Sequence, residues 1–275
     1  MYFDIGLVEI IMHKEGMAFF DLDGTLLDNS IDRIPYSALS AIERLRESYY
    51  IVISTGRDMD SHYSLKYRDI IKPDAIIHLN GCKITVGDEL VFEHYMDESL
   101  LKEIYEYASE TGDCFGATIG NEDFYINPQK KKEADAAYNP SLKRNFAEFE
   151  EVFKRGIRIH ALSYAGNLSK DKDRIEQRFD NLILKGFHSE MGADVVERGF
   201  SKADGMYKLL KYFVMEDKPS YAFGDSSNDI EIIKAAMVGV AMGNACEELK
   251  KNADLITDSI ENDGISKALY RLNLI

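Results

Sequence analysis

Short apolar runs alternate with amphipathic segments along most of the chain. Five runs rich in β-forming residues lie at 17–22, 50–54, 75–79, 220–223 and 238–241. Helical periodicity fills several of the gaps, as in 37–47, where Leu39, Ile42 and Leu45 fall on one face. Continuously apolar strands between amphipathic helices are typical of a parallel sheet covered on both faces. The pattern predicts an α/β protein with a Rossmann-like parallel sheet core.

The middle of the chain has a different pattern. Two β-rich runs, 82–86 and 90–94, flank a Gly-Asp-Glu turn and predict a hairpin. A predicted helix at 98–110, two strands and a polar stretch around 129–140 follow, and then a strand, a helix and two strands end near 197. We therefore expect an inserted α+β domain at 84–189, core segments at 17–83 and 190–275, and an N-terminal extension at 1–16.

Composition narrows the classes of partner. The chain has 275 residues, with 33 basic against 48 acidic side chains and a net charge of −15. This balance argues against binding to nucleic acid or to an anionic membrane surface. The three cysteines, Cys82, Cys114 and Cys246, have no paired spacing, so neither disulfides nor a zinc site is expected. No apolar run reaches membrane-spanning length and no leader pattern opens the chain, so we expect a cytoplasmic protein.

Residues 19–27, Phe-Phe-Asp-Leu-Asp-Gly-Thr-Leu-Leu, carry the strongest chemical signal. Because side chains alternate along a strand, Asp21 and Asp23 leave its end on the same side, and Gly24 permits a sharp turn. Two carboxylates at the end of a buried strand repel each other and need a cation, a shared proton or both. A solvated acidic turn is the alternative at this point.

Three more segments carry polar groups at predicted element ends. Thr55 and Gly56 follow a buried strand, where a hydroxyl and a close backbone suit a phosphoryl group, although most Thr-Gly pairs only mark a turn. Lys202 enters a predicted helix from a loop, yet an isolated lysine is usually a solvated charge. A fourth segment, Gly-Asp-Ser-Ser-Asn-Asp, brings Asp225, Asn228 and Asp229 after a strand, with helix capping as the plain alternative.

All four segments lie at the carboxyl ends of predicted parallel strands or beside them. In an open α/β sheet these ends meet at one crevice, where ligands bind. An acidic protein can bind an anion there, because a cation, Lys202 and backbone donors make the crevice locally positive.

With these residues in place, the chain resembles the haloacid dehalogenase (HAD) superfamily phosphatases of the Cof-type branch over 17–275. Asp21-Leu-Asp-Gly-Thr and Ser54-Thr-Gly-Arg57 resemble the first two motifs of that superfamily. Lys202 within Ser-Lys-Ala-Asp-Gly resembles the third motif, and 224–229 resemble the fourth. Asn80-Gly81 resembles the entry into the family's cap. The resemblance implies the HAD fold with an α+β cap at 84–189.

The resemblance also implies a mechanism, the hydrolysis of small phosphate monoesters through a phospho-aspartyl intermediate. Asp21 would be the nucleophile and Asp23 the acid and base, with Mg²⁺ held by Asp21, the Asp23 carbonyl, Asp225 and Asp229. The expected phosphate- and substrate-binding residues are Thr55, Gly56, Arg57, Asn80, Lys202 and Asn228. Related enzymes take sugar phosphates or phosphorylated cofactors, and the expected state is a monomer or homo-dimer.

Several alternatives stay open or fail on the sequence. A phosphomutase or phosphotransferase would use the same aspartyl phosphate, and a non-catalytic binding module could use the same scaffold. A metal-nucleotide glycosyltransferase would leave Lys202 and 224–229 unexplained. An EF-hand fails because Gly24 is at position four of the loop instead of six, and no P-loop motif occurs.

Overall fold

A computed structural model describes residues 14–138, 143–187 and 191–275. Its strands are β1 (Gly16–Phe20), β2 (Tyr49–Ser54), β3 (Ala75–His78), β4 (Lys83–Val86), β5 (Glu89–Glu93), β6 (Cys114–Ile119), β7 (Glu122–Tyr125), β8 (Phe146–Glu148), β9 (Leu162–Ala165), β10 (Leu182–Gly186), β11 (Gly192–Glu197), β12 (Ser220–Gly224), β13 (Val238–Ala241) and β14 (Leu255–Ile256). Its helices are α1 (Tyr36–Leu45), α2 (Leu65–Ile71), α3 (Glu98–Thr111), α4 (Gln129–Tyr138), α5 (Glu150–Lys154), α6 (Leu168–Arg178), α7 (Lys202–Tyr212), α8 (Ile230–Ala235), α9 (Glu247–Lys250) and α10 (Gly264–Arg271). Short 3₁₀ turns lie at Leu79–Gly81, Ser227–Asp229 and Ile260–Asn262.

The first sheet has the strand order β14-β13-β12-β1-β2-β3-β4-β5. The strands from β14 to β3 run parallel, and β4 and β5 are antiparallel additions at one edge. Helices flank this sheet, with α1 packed on α10 and α7 packed on α8. The predicted Rossmann-like α/β core is confirmed.

Burial explains why these segments form the centre of the sheet. Every residue of β1 is buried, and the rings of Phe20 and Phe223 stack across the β1–β12 pair with centroids 4.7 Å apart. A strand that is buried on both faces must be apolar throughout, and this is the pattern that the sequence displays. Glycine allows α7 to lie close to β3, because a Cβ on Gly205 would be 2.5 Å from the Ile77 side chain.

The second sheet has the order β10-β11-β9-β6-β7-β8 and is antiparallel except for the β7–β8 pair. One face of it carries a separate hydrophobic core, formed with residues of α3, α5 and α6. The buried helix residues of that core include Leu101, Ile104, Val152 and Ile175. We call the part of the chain that builds this second sheet the cap.

Sheet membership corrects the predicted domain boundaries of 84–189. The hairpin β4–β5, predicted to belong to the inserted domain, pairs with β3 and extends the first sheet. Strand β11, predicted to belong to the core, pairs with β9 and β10 in the second sheet. Both errors concern strands next to the points where the chain passes from one sheet to the other. The local residue pattern there does not show which strand will be the pairing partner. Of the predicted extension 1–16, residues 1–13 lie outside the described residues, and Gly16 begins β1.

The polar stretch predicted around 129–140 contains a helix, α4, at Gln129–Tyr138. An ion pair 2.5 Å long between Lys131 and Asp135, one helical turn apart, contributes to it. Across the described parts of the chain, we find no helix that combines the length and apolar character needed to cross a bilayer.

Candidate active site

Three neighbouring strands bring the predicted site residues to one edge of the first sheet. Strand β1 lies between β12 and β2, with Phe20 paired to Phe223 on one side and to Ile53 on the other. Asp21, Thr55 and Asp225 therefore follow adjacent parallel strands at the same end, and all three are buried. The carboxyl ends of these parallel strands thus bring the three side chains to one edge of the sheet.

Lys202 is the first residue of α7, and its side chain is fully buried. The Ser201 hydroxyl caps this helix by accepting a hydrogen bond from the Asp204 N–H, which fixes the direction in which Lys202 leaves the chain. The Lys202 Nζ lies 2.6 Å from Asp21 Oδ1 and 2.6 Å from Asp229 Oδ1. Burial alone would lower the pKa of Lys202, but these two carboxylates raise it above its ordinary value, so the ammonium stays charged.

Asp225 approaches the same cluster from the end of β12. Its Oδ1 accepts a hydrogen bond of 3.2 Å from the Thr25 hydroxyl. Gly24 has φ of +78°, and a Cβ there would lie 2.3 Å from Asp225 Oδ2, so the turn after Asp23 needs glycine for two reasons. Burial, followed by the charge of Asp229, raises the pKa of Asp225 to about 7.

Asp229 is oriented by backbone N–H groups of preceding residues. Its Oδ2 accepts hydrogen bonds of 3.1 Å from the N–H groups of Asp225 and Ser226, which forms a capping box at the 3₁₀ turn. Its Oδ1 is thereby directed at Lys202. Asp229 thus holds the lysine in place between two carboxylates.

The resulting charge balance favours a cation. Carboxylate oxygens of Asp21, Asp225 and Asp229 all lie within 4.8 Å of one another, against the single ammonium of Lys202. Burial raises the pKa of Asp21 well above its ordinary value, and the neighbouring carboxylates add to this effect against the opposing charge of Lys202. Three buried carboxylates with one ammonium leave an excess of negative charge that a hard divalent cation can neutralise. The donor set therefore fits Mg²⁺.

A second acidic cluster does not share this excess. Asp58, Asp60 and His78 also lie close together, but Lys83 contacts both carboxylates, at 3.1 and 2.6 Å. Burial would raise the pKa of Asp58, but hydrogen bonding to His78 and the charge of Lys83 hold it well below its ordinary value. Arg68 also contacts Asp60, so the two carboxylates of this cluster are paired with two cations of the protein.

Asp23 points away from the carboxylate cluster toward Arg57. The guanidinium contacts both oxygens, with Nε 2.7 Å from Oδ2 and Nη2 2.5 Å from Oδ1. Arg57 also lies 5.5 Å from the ring centre of Tyr67. About a third of the Asp23 side chain is exposed, at 35%. Such a bidentate pair fixes the direction of the carboxylate at the mouth of the crevice.

Of the remaining predicted residues, Thr55 and Gly56 follow β2, Asn80 lies in the 3₁₀ turn after β3, and Asn228 lies in the 3₁₀ turn after β12. The Thr55 hydroxyl is buried and accepts a hydrogen bond of 3.1 Å from the Arg57 N–H. Asn80 accepts a 3.2 Å hydrogen bond from Asn228 through Oδ1 and donates through Nδ2 to Asp194 at 2.8 Å. Gly56 lies against the same Asp194 carboxylate. Hydrogen bonds thus link Thr55 to Arg57, and Asn228 through Asn80 to Asp194.

Two polar residues of this crevice were not predicted. Thr25 could have been predicted from the sequence. It directly follows the turn at Gly24 and precedes a buried segment, so its side chain is expected to face the strand ends. Asp194 gave no local signal: it lies on β11, which the sequence assigns to the wrong sheet. Only the register of β11 in the cap directs Asp194 toward Asn80.

Comparison with known proteins identifies the class. A curated relative from Bacillus subtilis (strain 168), "Putative phosphatase YkrA", is 28% identical over 94% of this chain and 98% of its own. The solved structure of the HAD subclass IIB sugar phosphatase BT4131 has a TM-score of 0.82 at 25% identity, covering 95% of this chain and all of that one. The phosphatase BT1666 from Bacteroides thetaiotaomicron has a TM-score of 0.83 at 27% identity, covering 99% of this chain and all of that one. The fold and these relatives support a phosphatase.

The family follows from a match along almost the whole chain. The family model of the haloacid dehalogenase-like hydrolases matches residues 18–269, and the chain belongs to this family. The match begins within β1 and ends within α10, so it includes both sheets. The resemblance found in the sequence is confirmed.

Proposed function

We propose that the enzyme is a Mg²⁺-dependent phosphatase that hydrolyses small-molecule phosphate monoesters through a phospho-aspartyl intermediate on Asp21. The observation that carries the proposal is the buried Lys202, held between Asp21 and Asp229 with Asp225 beside them. Such a cluster combines a nucleophile with positive charge for an anionic substrate.

Asp21 is the group that attacks phosphorus. Lys202 contacts its Oδ1, which leaves Oδ2 to form the bond to phosphorus as the ester oxygen leaves. The carboxylate must be ionised to attack, and Lys202 favours that form. Water then attacks the aspartyl phosphate, which releases inorganic phosphate and restores the carboxylate.

Asp23 is the general acid and then the general base. It gives a proton to the leaving alcohol in the first step and takes one from the attacking water in the second. Arg57 directs it toward the mouth of the crevice, where the leaving group departs. Proton transfer requires one Asp23 oxygen to release Arg57, so Arg57 positions the acid and also controls when it is available.

The phosphoryl oxygens are bound by groups of this chain. The groups that bind them are the Lys202 ammonium, the Thr55 hydroxyl, the Asn228 amide and the backbone at Gly56. Mg²⁺ would be held by Asp21, Asp225, Asp229 and the Asp23 carbonyl. Its charge would neutralise the excess of carboxylates and the phosphoryl oxygens when it is bound.

Relatives indicate the kind of substrate. BT4131 is a sugar phosphatase, and YitU from Bacillus subtilis (strain 168), 25% identical over 93% of this chain and 97% of its own, is a 5-amino-6-(5-phospho-D-ribitylamino)uracil phosphatase. We infer that this enzyme also takes a small phosphorylated metabolite, such as a sugar phosphate or a phosphorylated cofactor.

The test is phosphate release by the purified full chain across a panel of phosphorylated metabolites, with Mg²⁺ and with EDTA. We expect release that needs Mg²⁺ and is lost in Asp21→Asn, a variant that keeps the shape of the site. Substantial turnover by folded Asp21→Asn would overturn the assignment of the nucleophile. Product analysis with a sugar bisphosphate activator distinguishes hydrolysis from phosphomutase activity. The absence of phosphate release from every compound of the panel would favour a non-catalytic module.

A further inference from the structure

A row of cap residues crosses the second sheet on the face opposite its hydrophobic core. Strand register pairs Lys185 with Asp194, Asp194 with Ser163, Ser163 with Gly116, and Gly116 with Tyr125. Directly paired residues lie on the same face of a sheet, so the five form one line, which we call the cap row. Their neighbours in sequence, such as Leu184, Tyr164 and Val195, face the core of the cap.

Glycine shapes the middle of the cap row. A Cβ on Gly116 would lie 2.4 Å from ring atoms of Tyr125, so the ring lies across the backbone of Gly116. This brings the Tyr125 hydroxyl to 2.6 Å from Ser163 Oγ. Tyr125 thereby fixes the orientation of the Ser163 hydroxyl next to Asp194.

Asp194 extends from the cap row to the catalytic crevice. Its Oδ2 accepts a 2.8 Å hydrogen bond from Asn80, whose own Oδ1 is held by Asn228. The same oxygen lies so close to Gly56 that a Cβ there would be 2.0 Å away. Among the residues that the structure describes, no hydrogen bond reaches the other oxygen, Oδ1. An acceptor thus lies beside the loop that follows Thr55.

The surrounding charges limit what this acceptor can bind. Lys185, next in the cap row, is buried and already paired with Glu231 at 2.6 Å. The charges of Lys202 and Asp23 both reach Asp194, with opposite effects on its carboxylate. A second phosphate or a carboxylate on the substrate would be repelled here, whereas a hydroxyl would donate to Asp194 and exchange a hydrogen bond with Ser163.

We propose that Asp194 determines specificity by accepting a hydrogen bond from a hydroxyl of the leaving group, and that the substrates are monophosphates of polyhydroxylated alcohols, of sugar or alditol type. Ser163 is the second contact, and Asn80 is a positioning residue that holds Asp194 in place. The inference rests on the proposed function, since it needs the phosphoryl group to be bound at Asp21 and Lys202.

The test compares Asp194→Asn with the wild type on a hexose monophosphate, an alditol monophosphate, pyridoxal phosphate, a sugar bisphosphate and p-nitrophenyl phosphate. The asparagine keeps its oxygen toward Asn80 but presents N–H groups where an acceptor was. We expect the ratio of kcat/KM for the best polyol phosphate to that for p-nitrophenyl phosphate to fall about 10- to 100-fold, as for a lost hydrogen bond to a charged group. Asp173→Asn, an exposed aspartate on α6, is the matched control and is expected to keep the ratio.

Deoxy substrates make the test specific for the contact. Removal of the hydroxyl that meets Asp194 should lower kcat/KM in the wild type and have little further effect in Asp194→Asn, because the two changes remove the same interaction. Ser163→Ala, expected to lower the same ratio about 3- to 10-fold, provides a second variant should Asp194→Asn fail to fold.

The outcomes separate the two proposals. A ratio that changes less than about threefold in folded Asp194→Asn and in Ser163→Ala, or a wild-type preference for the bisphosphate or pyridoxal phosphate, would overturn the role of Asp194 while leaving the phosphatase chemistry in place. Loss of all activity only in Asp21→Asn, together with the altered ratio, supports both. Activity that survives in Asp21→Asn would instead overturn the proposed function.

Discussion

Replacement of Lys202 by methionine removes the buried positive charge of the site while keeping an unbranched side chain. The ammonium has two carboxylate contacts of 2.6 Å and no exposed surface. Removing one partner of a buried ion pair destabilises a protein by about 3–5 kcal/mol, because the other partner stays buried without a counter-charge. For a chain of this size that corresponds to a Tm decrease of roughly 6–20 °C.

The sign of the pH dependence follows from the carboxylates. Burial already raises the pKa of Asp21, and loss of the opposing Lys202 charge raises it further. A carboxyl group with a raised pKa takes up a proton on folding, so the folded state loses stability as pH rises from the unfolded-state value toward the folded-state value. We expect the destabilisation of Lys202→Met to grow as the pH rises.

The assay is thermal unfolding followed by far-UV circular dichroism, with EDTA present, at several pH values. The chain has no tryptophan, so tryptophan fluorescence cannot report unfolding. Lys211→Met is the control, because this lysine lies on the same helix and is exposed. A change of less than about 0.5 kcal/mol is expected there. A Tm decrease in Lys202→Met that equals the control's, or that is largest at low pH, would refute the reasoning.

Three further predictions concern neighbouring residues. Asp23→Asn should lower turnover of alkyl phosphates about 10²- to 10⁴-fold. With p-nitrophenyl phosphate, whose leaving group needs no proton, it should give a burst of about one nitrophenolate per site; the absence of a burst would contradict the role of base in the second step. Gly56→Ala should lower kcat/KM and stability, by about 1–3 kcal/mol, because its Cβ would meet Asp194 Oδ2 at 2.0 Å; wild-type behaviour would show that the approach is not tight. Burial raises the pKa of Asp194 to about 6, so wild-type stability should fall between about pH 4 and 6. By the same linkage, Asp194→Asn should be up to about 2–3 kcal/mol more stable at pH 8, as urea unfolding would report, and a less stable variant would contradict this.

The sequence predicts the centre of the first sheet because buried parallel strands must be apolar throughout. The predicted strand bounds for β1, β2, β3, β12 and β13 differ from the structure by at most two residues. Polar residues directly after such strands meet at one edge, which is why Asp21, Thr55 and Asp225 could be grouped without a structure.

Pairing between distant segments is what the sequence could not show. The sequence of β11 indicates a short apolar strand but not the sheet to which it belongs. Its place in the second sheet depends on hydrogen bonds to β9 and β10. Asp194 therefore had no visible connection to the site. Helix α4 was not predicted for another reason. Its sequence, Gln-Lys-Lys-Lys-Glu-Ala-Asp-Ala-Ala-Tyr, has no apolar stripe from which a helix could be inferred.

The chain passes from the first sheet to the second after β5 and returns after β11, and these two crossings lie side by side. His94, just after β5, hydrogen-bonds Glu197 at the end of β11, and its ring stacks on Phe200 with centroids 4.1 Å apart. An insertion whose ends are held together adds little strain to the sheet that carries it, however long it is, because closure entropy grows slowly with length. The segment between these crossings can therefore be replaced or changed as a unit during evolution. The enzyme can acquire new substrates in this way while Asp21 and Lys202 stay unchanged. In the laboratory, the cap of a related enzyme could be grafted between the same two points for the same reason.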